Sequence, residues 1–206
     1  MLSSDDPRHR NEICNTASIS AYFSDYADRL RHALGTVDMA MLELARASIE
    51  ETAARGARIH AIGNGGSAAI ADHLCCELVK GTHVDGHPTI EVGSLTSNVA
   101  LYSAIANDFG FDDVFSRQIG FLAKAGDVLL AISSSGNSPN ILAGVAAAAA
   151  KGVTTIGLSG FSGGKLRQIV DISLHVDASN YGIVEDAHQS IMHILAQFIA
   201  CRRDGA

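Results

Sequence analysis

The 206-residue chain has no apolar run long enough to cross a membrane, no cluster of lysine and arginine, and no paired-cysteine knuckle. Hydrophobic residues make up 47% of it, yet glycine or a charge interrupts every run well before the roughly 18 residues a span requires. No membrane partner is expected. With 15 basic against 22 acidic residues and a net charge of -7, the chain lacks the basic face that neutralises nucleic-acid phosphates. No nucleic-acid partner is expected either, and any phosphate it binds should be small and locally held. The four cysteines stand at 14, 75, 76 and 201. Adjacent Cys75 and Cys76 on a helix would point about 100° apart, which suits neither a mutual disulfide nor a metal knuckle, so reduced thiols are the default. The opening MLSSDDPRHRNE has no apolar core behind a basic flank and does not read as a signal peptide, from which a cytoplasmic location follows as an expectation.

What the chain does have is periodicity. Ile19, Tyr22, Phe23, Tyr26, Leu30 and Leu34, then Val37, Met41, Leu44 and Ala45, recur at helical spacing, with Gly35 and Thr36 between the two sets. Residues 1–16 read as a flexible lead, 17–56 as two amphipathic helices, and 57–203 as the main domain. Five short β-prone runs follow, Arg58–Ile62, Thr89–Val92, Asp127–Ser133, Thr154–Ser159 and Ile172–Val176, separated by stretches long enough for crossover helices. That alternation predicts an α/β fold, a parallel five-stranded sheet with helices on both faces. The segments VLLAIS and TTIGLS are almost wholly apolar or β-branched, as doubly covered strands should be. The small residues of GVAAAAAKG let a crossover helix lie close to the sheet.

Two turns carry the chemistry. Gly63-Asn64-Gly65-Gly66-Ser67 follows the first strand, and Ser133-Ser134-Ser135-Gly136-Asn137-Ser138 follows the third. Hydroxyls and bare backbone amides at a helix start can hold a phosphate without a lysine. Gly63, Gly65 and Ala68 also match the dinucleotide pattern G-x-G-x-x-A, with Glu91 as a ribose acid, but one dinucleotide leaves the serine turn unexplained. Gly160 to Lys165 is one residue short of a Walker loop and is followed by Leu166.

On a helix from Ala68 to Lys80, His73 and Glu77 share a face beside Ile70, Leu74 and Leu78. On a last helix from about Tyr181 to Arg202, Val184, Ile191, Leu195 and Phe198 form the buried stripe, with Glu185, Gln189 and His193 in a polar line next to it. Two imidazoles and two carboxylates beside a core can bind zinc or move protons, and the pattern leaves both open. His188 falls among the apolar residues; His9, His32, His60, His83, His87 and His175 show no paired spacing.

These motifs resemble the sugar isomerase (SIS) domain family and, within it, the phosphoheptose isomerases. The likeness rests on GNGGS at 63–67, His73 to Leu78 as H-x-x-x-E-L, AIANDFGFDDVFSRQI at 104–119, GDVLLAISSSGNSPN at 126–140, TTIGLSG with GGKL at 154–166, and H-I-L at 193–195. The resemblance implies a flavodoxin-like sheet, a homotetramer with sites between subunits, and the two leading helices as assembly surface. It implies that Ser67, Ser133, Ser135 and Ser138 hold a sugar phosphate, with Asn64, Gly65, Gly66 and Ser134 close by and Asp108 lining the sugar site. Glu77 matches the general base and His193 the general acid. The implied zinc ligands, for one ion per subunit, are His73, Glu77, Glu185 and His193. The implied reaction converts sedoheptulose 7-phosphate to D-glycero-D-manno-heptose 7-phosphate.

Three positions depart from the family pattern. Glutamine is usual where Glu185 stands, aspartate where Gly182 stands, and arginine near Lys80 and Gly81. A longer ketose phosphate, or a non-catalytic tetramer that binds the replication initiator, is the alternative these departures raise.

Overall fold

The structure is a computed structural model and describes residues 18–205; the expected flexible lead, Cys14 and His9 lie outside them. Strands β1 (Arg58–Gly63), β2 (Glu91–Ser94), β3 (Val128–Ile132), β4 (Thr154–Ser159) and β5 (Ile172–His175) form one parallel sheet in the order β2-β1-β3-β4-β5. This is the flavodoxin-like order the resemblance implied. All five expected strands form. The second starts later than expected because its pairing begins at Arg58↔Glu91, so Thr89 and Ile90 lie before β1 offers a partner.

The helices are α1 (Ile19–Gly35), α2 (Met39–Ala54), α3 (Gly66–Cys76), α4 (Val99–Phe109), α5 (Val114–Leu122), α6 (Pro139–Ala150), α7 (Leu166–Ile169) and α8 (Tyr181–Asp204). Ser18 caps α1 and Asp38 caps α2, the latter accepting from the Ala40 N–H at 2.8 Å, and the break between them spans Thr36–Asp38, one residue later than expected because Gly35 closes the last turn of α1. Among the described residues, no helix is long and apolar enough to cross a membrane.

Each sheet face has its own core. Ile59, Leu130, Ile156 and Leu174 point toward α1, α2, α3 and α8, while Ile62, Leu129 and Ala131 point toward α4, α5, α6 and α7. All five residues of β3 are buried, in keeping with a strand covered on both sides. At Gly144 of α6 an added Cβ would stand 3.0 Å from Ile62, so the small residues of that helix do permit a close approach.

Two expectations about the helical stripes need correction. Ile19, Phe23 and Leu44 are exposed, whereas Val37, Ala45, Ile49 and Ala53 of the same region are buried against the core. On α8, Val184, Ile191 and Leu195 are buried as expected but Phe198 is 50% exposed. The contact stripe of this long helix drifts round its axis, and its last turns bury Ala196, Ile199 and Arg203 instead.

Candidate active site

The strand order reverses between β1 and β3, which opens a crevice beyond their carboxyl ends. Both glycine and serine turns meet there. In the first, Gly63 lies so close to the start of α3 that a Cβ would be 2.3 Å from the Ser67 carbonyl oxygen. In the second, Gly136 has φ 65° and would place a Cβ 2.0 Å from the Gly163 carbonyl oxygen. The GGKL segment packs directly on this turn: the Leu166 N–H donates to the Gly136 carbonyl at 2.9 Å, and the Lys165 N–H to Asn137 Oδ1 at 3.1 Å. The two turns are tied together by Asn64 and Asn140, whose side-chain amides exchange two hydrogen bonds of 2.9 Å each.

The resulting cleft, about 160 Å³, is lined by Asn64, Ser67, Ser133, Ser134, Ser135 and Ser138, with Tyr181 and Glu185 entering from α8. Ser138 begins α6 but makes no capping bond with its side chain; its Oγ lies 3.4 Å from Ser133 Oγ. Ser134 Oγ is buried with no partner. Polar atoms left in this way are where a ligand is expected. Gly65 and Gly66 form the exposed rim, and Glu185 reaches the Gly66 backbone so closely that a Cβ there would be 2.4 Å from its carboxylate. Burial, with Asp186 adding repulsion, raises the Glu185 pKa above the usual carboxylate range.

Beside the cleft, His73, Glu77 and His193 converge, with candidate ligand atoms all within 4.8 Å of one another. His73 Nε2 is 3.6 Å from Glu77 Oε1, and the two imidazole rings stand 5.0 Å apart, nearly perpendicular. The Gln189 amide bonds His73 Nδ1 at 3.0 Å and so aims Nε2 into the trio. Two imidazoles and one carboxylate, with an orienting partner behind, suit a zinc ion with an open position. Of the four implied ligands the structure brings these three together. Glu185 stands two turns before His193, about 12 Å along the helix axis, and its carboxylate is turned to Gly66 instead.

Glu77 also ends the α-helix. The expected continuous helix to Lys80 changes at that residue into a π-helical turn, Glu77–Gly81, followed by buried Thr82, whose hydroxyl donates to the Leu78 carbonyl at 2.6 Å. A Cβ on Gly81 would lie 2.7 Å from Glu77 Oε2, so a larger residue would oblige the carboxylate to move. Asp108, on α4, is exposed, accepts from Asn107 at 2.9 Å and does not line the cleft within this chain.

Two residues of the site, Asn140 and Tyr181, were not singled out from the sequence, while His188, placed among the apolar residues, and His60, which shows no paired spacing, are buried. Asn140 is buried and joins the turns; its signal was an amide directly behind Pro139 at the head of an apolar helix. Tyr181 lines the cleft with its ring 4.7 Å from that of Phe161, a non-glycine residue at φ 51°. His60 is buried and bonds Asp127 at 3.2 Å. His188 is wholly buried, neither ring nitrogen has a partner, and burial drives its pKa down to about 4.

The chain matches the model of the SIS domain over residues 21–160. The phosphoheptose isomerase of Nitratidesulfovibrio vulgaris strain Miyazaki F is 39% identical to it over 176 residues, 85% of this chain and 78% of that protein. The phosphoheptose isomerase of Campylobacter concisus is 39% identical over 158 residues, 77% of this chain and 83% of that protein. The solved structure of the phosphoheptose isomerase GmhA from Neisseria gonorrhoeae is similar with a TM-score of 0.81 and 31% identity, covering 89% of this chain and 97% of that one. The fold, the paired phosphate-sized turns and the extent of these matches agree: this chain belongs to the SIS domain family.

Proposed function

We propose that the chain is a phosphoheptose isomerase, interconverting sedoheptulose 7-phosphate and D-glycero-D-manno-heptose 7-phosphate. The observation that carries this reading is the convergence of Glu77 and His193 beside a cleft of serine hydroxyls that includes an unpartnered one. The phosphate is held by Ser67, Ser133, Ser135 and Ser138, with backbone amides of the two turns around it. Glu77 takes a proton from C1 of the ketose while His193 gives one to O2, producing the enediol. Glu77 then returns its proton to C2 and His193 takes the O1 proton, which leaves the aldose and restores both groups. With the serine turn occupied by the phosphate at C7, the side-chain amide of Asn64 is the donor left for the oxygen that gains negative charge.

One zinc ion per subunit is assigned to His73, Glu77 and His193. When bound it would draw charge from the substrate oxygens. A cleft of about 160 Å³ is smaller than the roughly 300 Å³ or more of ordinary ligand sites, and Asp108 faces outward. Both features support a homotetramer whose sites are completed between subunits, and a cytoplasmic location is a separate part of the proposal.

The test is deuterium incorporation at C1 and C2 of sedoheptulose 7-phosphate in D2O, followed by NMR with added zinc, for wild type and Glu77→Gln. Exchange and aldose formation in the wild type, reduced about 10²- to 10⁴-fold in the variant, establish the isomerase and its base. An inert wild type that still binds the sugar phosphate would sink the proposal and leave a different ketose or a scaffold.

A further inference from the structure

The end of α8 remote from the cleft carries a cation that the reaction does not use. Arg203 is only 8% exposed, and its Nη1 donates to the Thr82 carbonyl at 2.8 Å and lies 3.4 Å from Thr82 Oγ1. Burial lowers its pKa, with no acidic neighbour opposing the shift. The nearby carboxylates are already engaged: Arg46 binds Glu43 and Glu50, and Arg202 Nε lies 3.4 Å from Glu50. Among the described residues, Nε and Nη2 of Arg203 have no protein acceptor. The side chain lines a groove of about 230 Å³ with Ala53, Ala54, Pro88, His87, Arg202 and the neutralised Glu50.

The side chain is largely enclosed, yet its Nε and Nη2 are not among the buried unpartnered atoms and so are open to the groove, where the planar fork matches an oxyanion in two-point geometry. We propose that this groove is a second anion site, which takes a phosphate-class oxyanion on Arg203 with Arg202 and His87 at its rim. The volume admits a small anion. The site also has a route to the reaction centre: Thr82 directly follows the Glu77–Gly81 turn, so an anion seated on Arg203 steadies the segment that carries Glu77.

The experiment is titration with inorganic phosphate at constant ionic strength, by calorimetry, on the full chain carrying Ser135→Ala and Ser138→Ala to disable the cleft. Saturable binding should persist there, weaken about tenfold or more with Arg203→Gln, and vanish with His87→Glu. The last change sets a carboxylate in the groove while leaving the Arg203–Thr82 bond in place, so it decides the matter even if Arg203→Gln fails to fold. Absence of saturable binding in the serine variant, or binding that survives His87→Glu, overturns the site. Neither result depends on whether the serine cleft binds a heptose phosphate.

Discussion

Gly81 shows how much of this site depends on an absent side chain. Any Cβ there collides with Glu77 Oε2, so Gly81→Ala should displace the base while leaving the serine turns untouched. A shift of about 1 Å at a reacting group costs on the order of 10²-fold in rate. The clash asks for only a few tenths of an ångström at the flexible end of Glu77, so the expected result is a kcat lowered by less than that factor, about tenfold, with KM for the sugar phosphate little changed, measured by steady-state kinetics. The serines and the His73–Glu77 pair were legible in the sequence because each declares itself locally, by following a strand or by i, i+4 spacing. The fold-back of Glu77 on Gly81, the Asn64–Asn140 exchange and the separation of Glu185 from the trio were not. Each depends on how a side chain turns or on a partner elsewhere in the chain, 76 residues apart for the two asparagines.

Between elements, the amide exchange joins the β1 turn side chain to side chain with the head of α6. Asn140 Oδ1 also accepts the Ile141 N–H at 3.0 Å. Asn140→Ala should therefore lower stability by about 1–3 kcal/mol, read from urea unfolding, and raise KM for the sugar phosphate as the two turns separate. All five strands and the break between α1 and α2 were readable, since buried strands and glycine boundaries leave strong local signals. The π-turn at Glu77 was not, because ELVKG keeps helical composition and the change of register involves hydrogen bonds rather than residue types. Phe198 was misplaced for a related reason: a fixed period cannot follow a contact stripe that rotates along a helix of 24 residues.

For the molecule as a whole, buried histidines set the response to acid. In the unfolded chain His188 protonates near pH 6.5, but in the fold its pKa falls to about 4. The stability it supports is complete above about pH 6.5 and is lost as the pH falls toward 4, a loss of about 3 kcal/mol. Buried His60 shifts in the same direction. Burial would raise Asp127, but the Arg58 and Lys124 N–H groups and His60 hold it below the ordinary range, so its contribution fades only at lower pH still. Urea midpoints measured from pH 7 to pH 4 should fall steadily, and His188→Met should flatten the upper part of that profile. The π-turn has a different kind of consequence for the molecule. It holds one residue more than an α-helical register would use, so deleting a residue between Leu78 and Gly81 would heal the helix and remove the glycine from beneath the base. The shortened protein should be sturdier and inert, which makes the length of the chain at this point, and not only its chemistry, a determinant of activity.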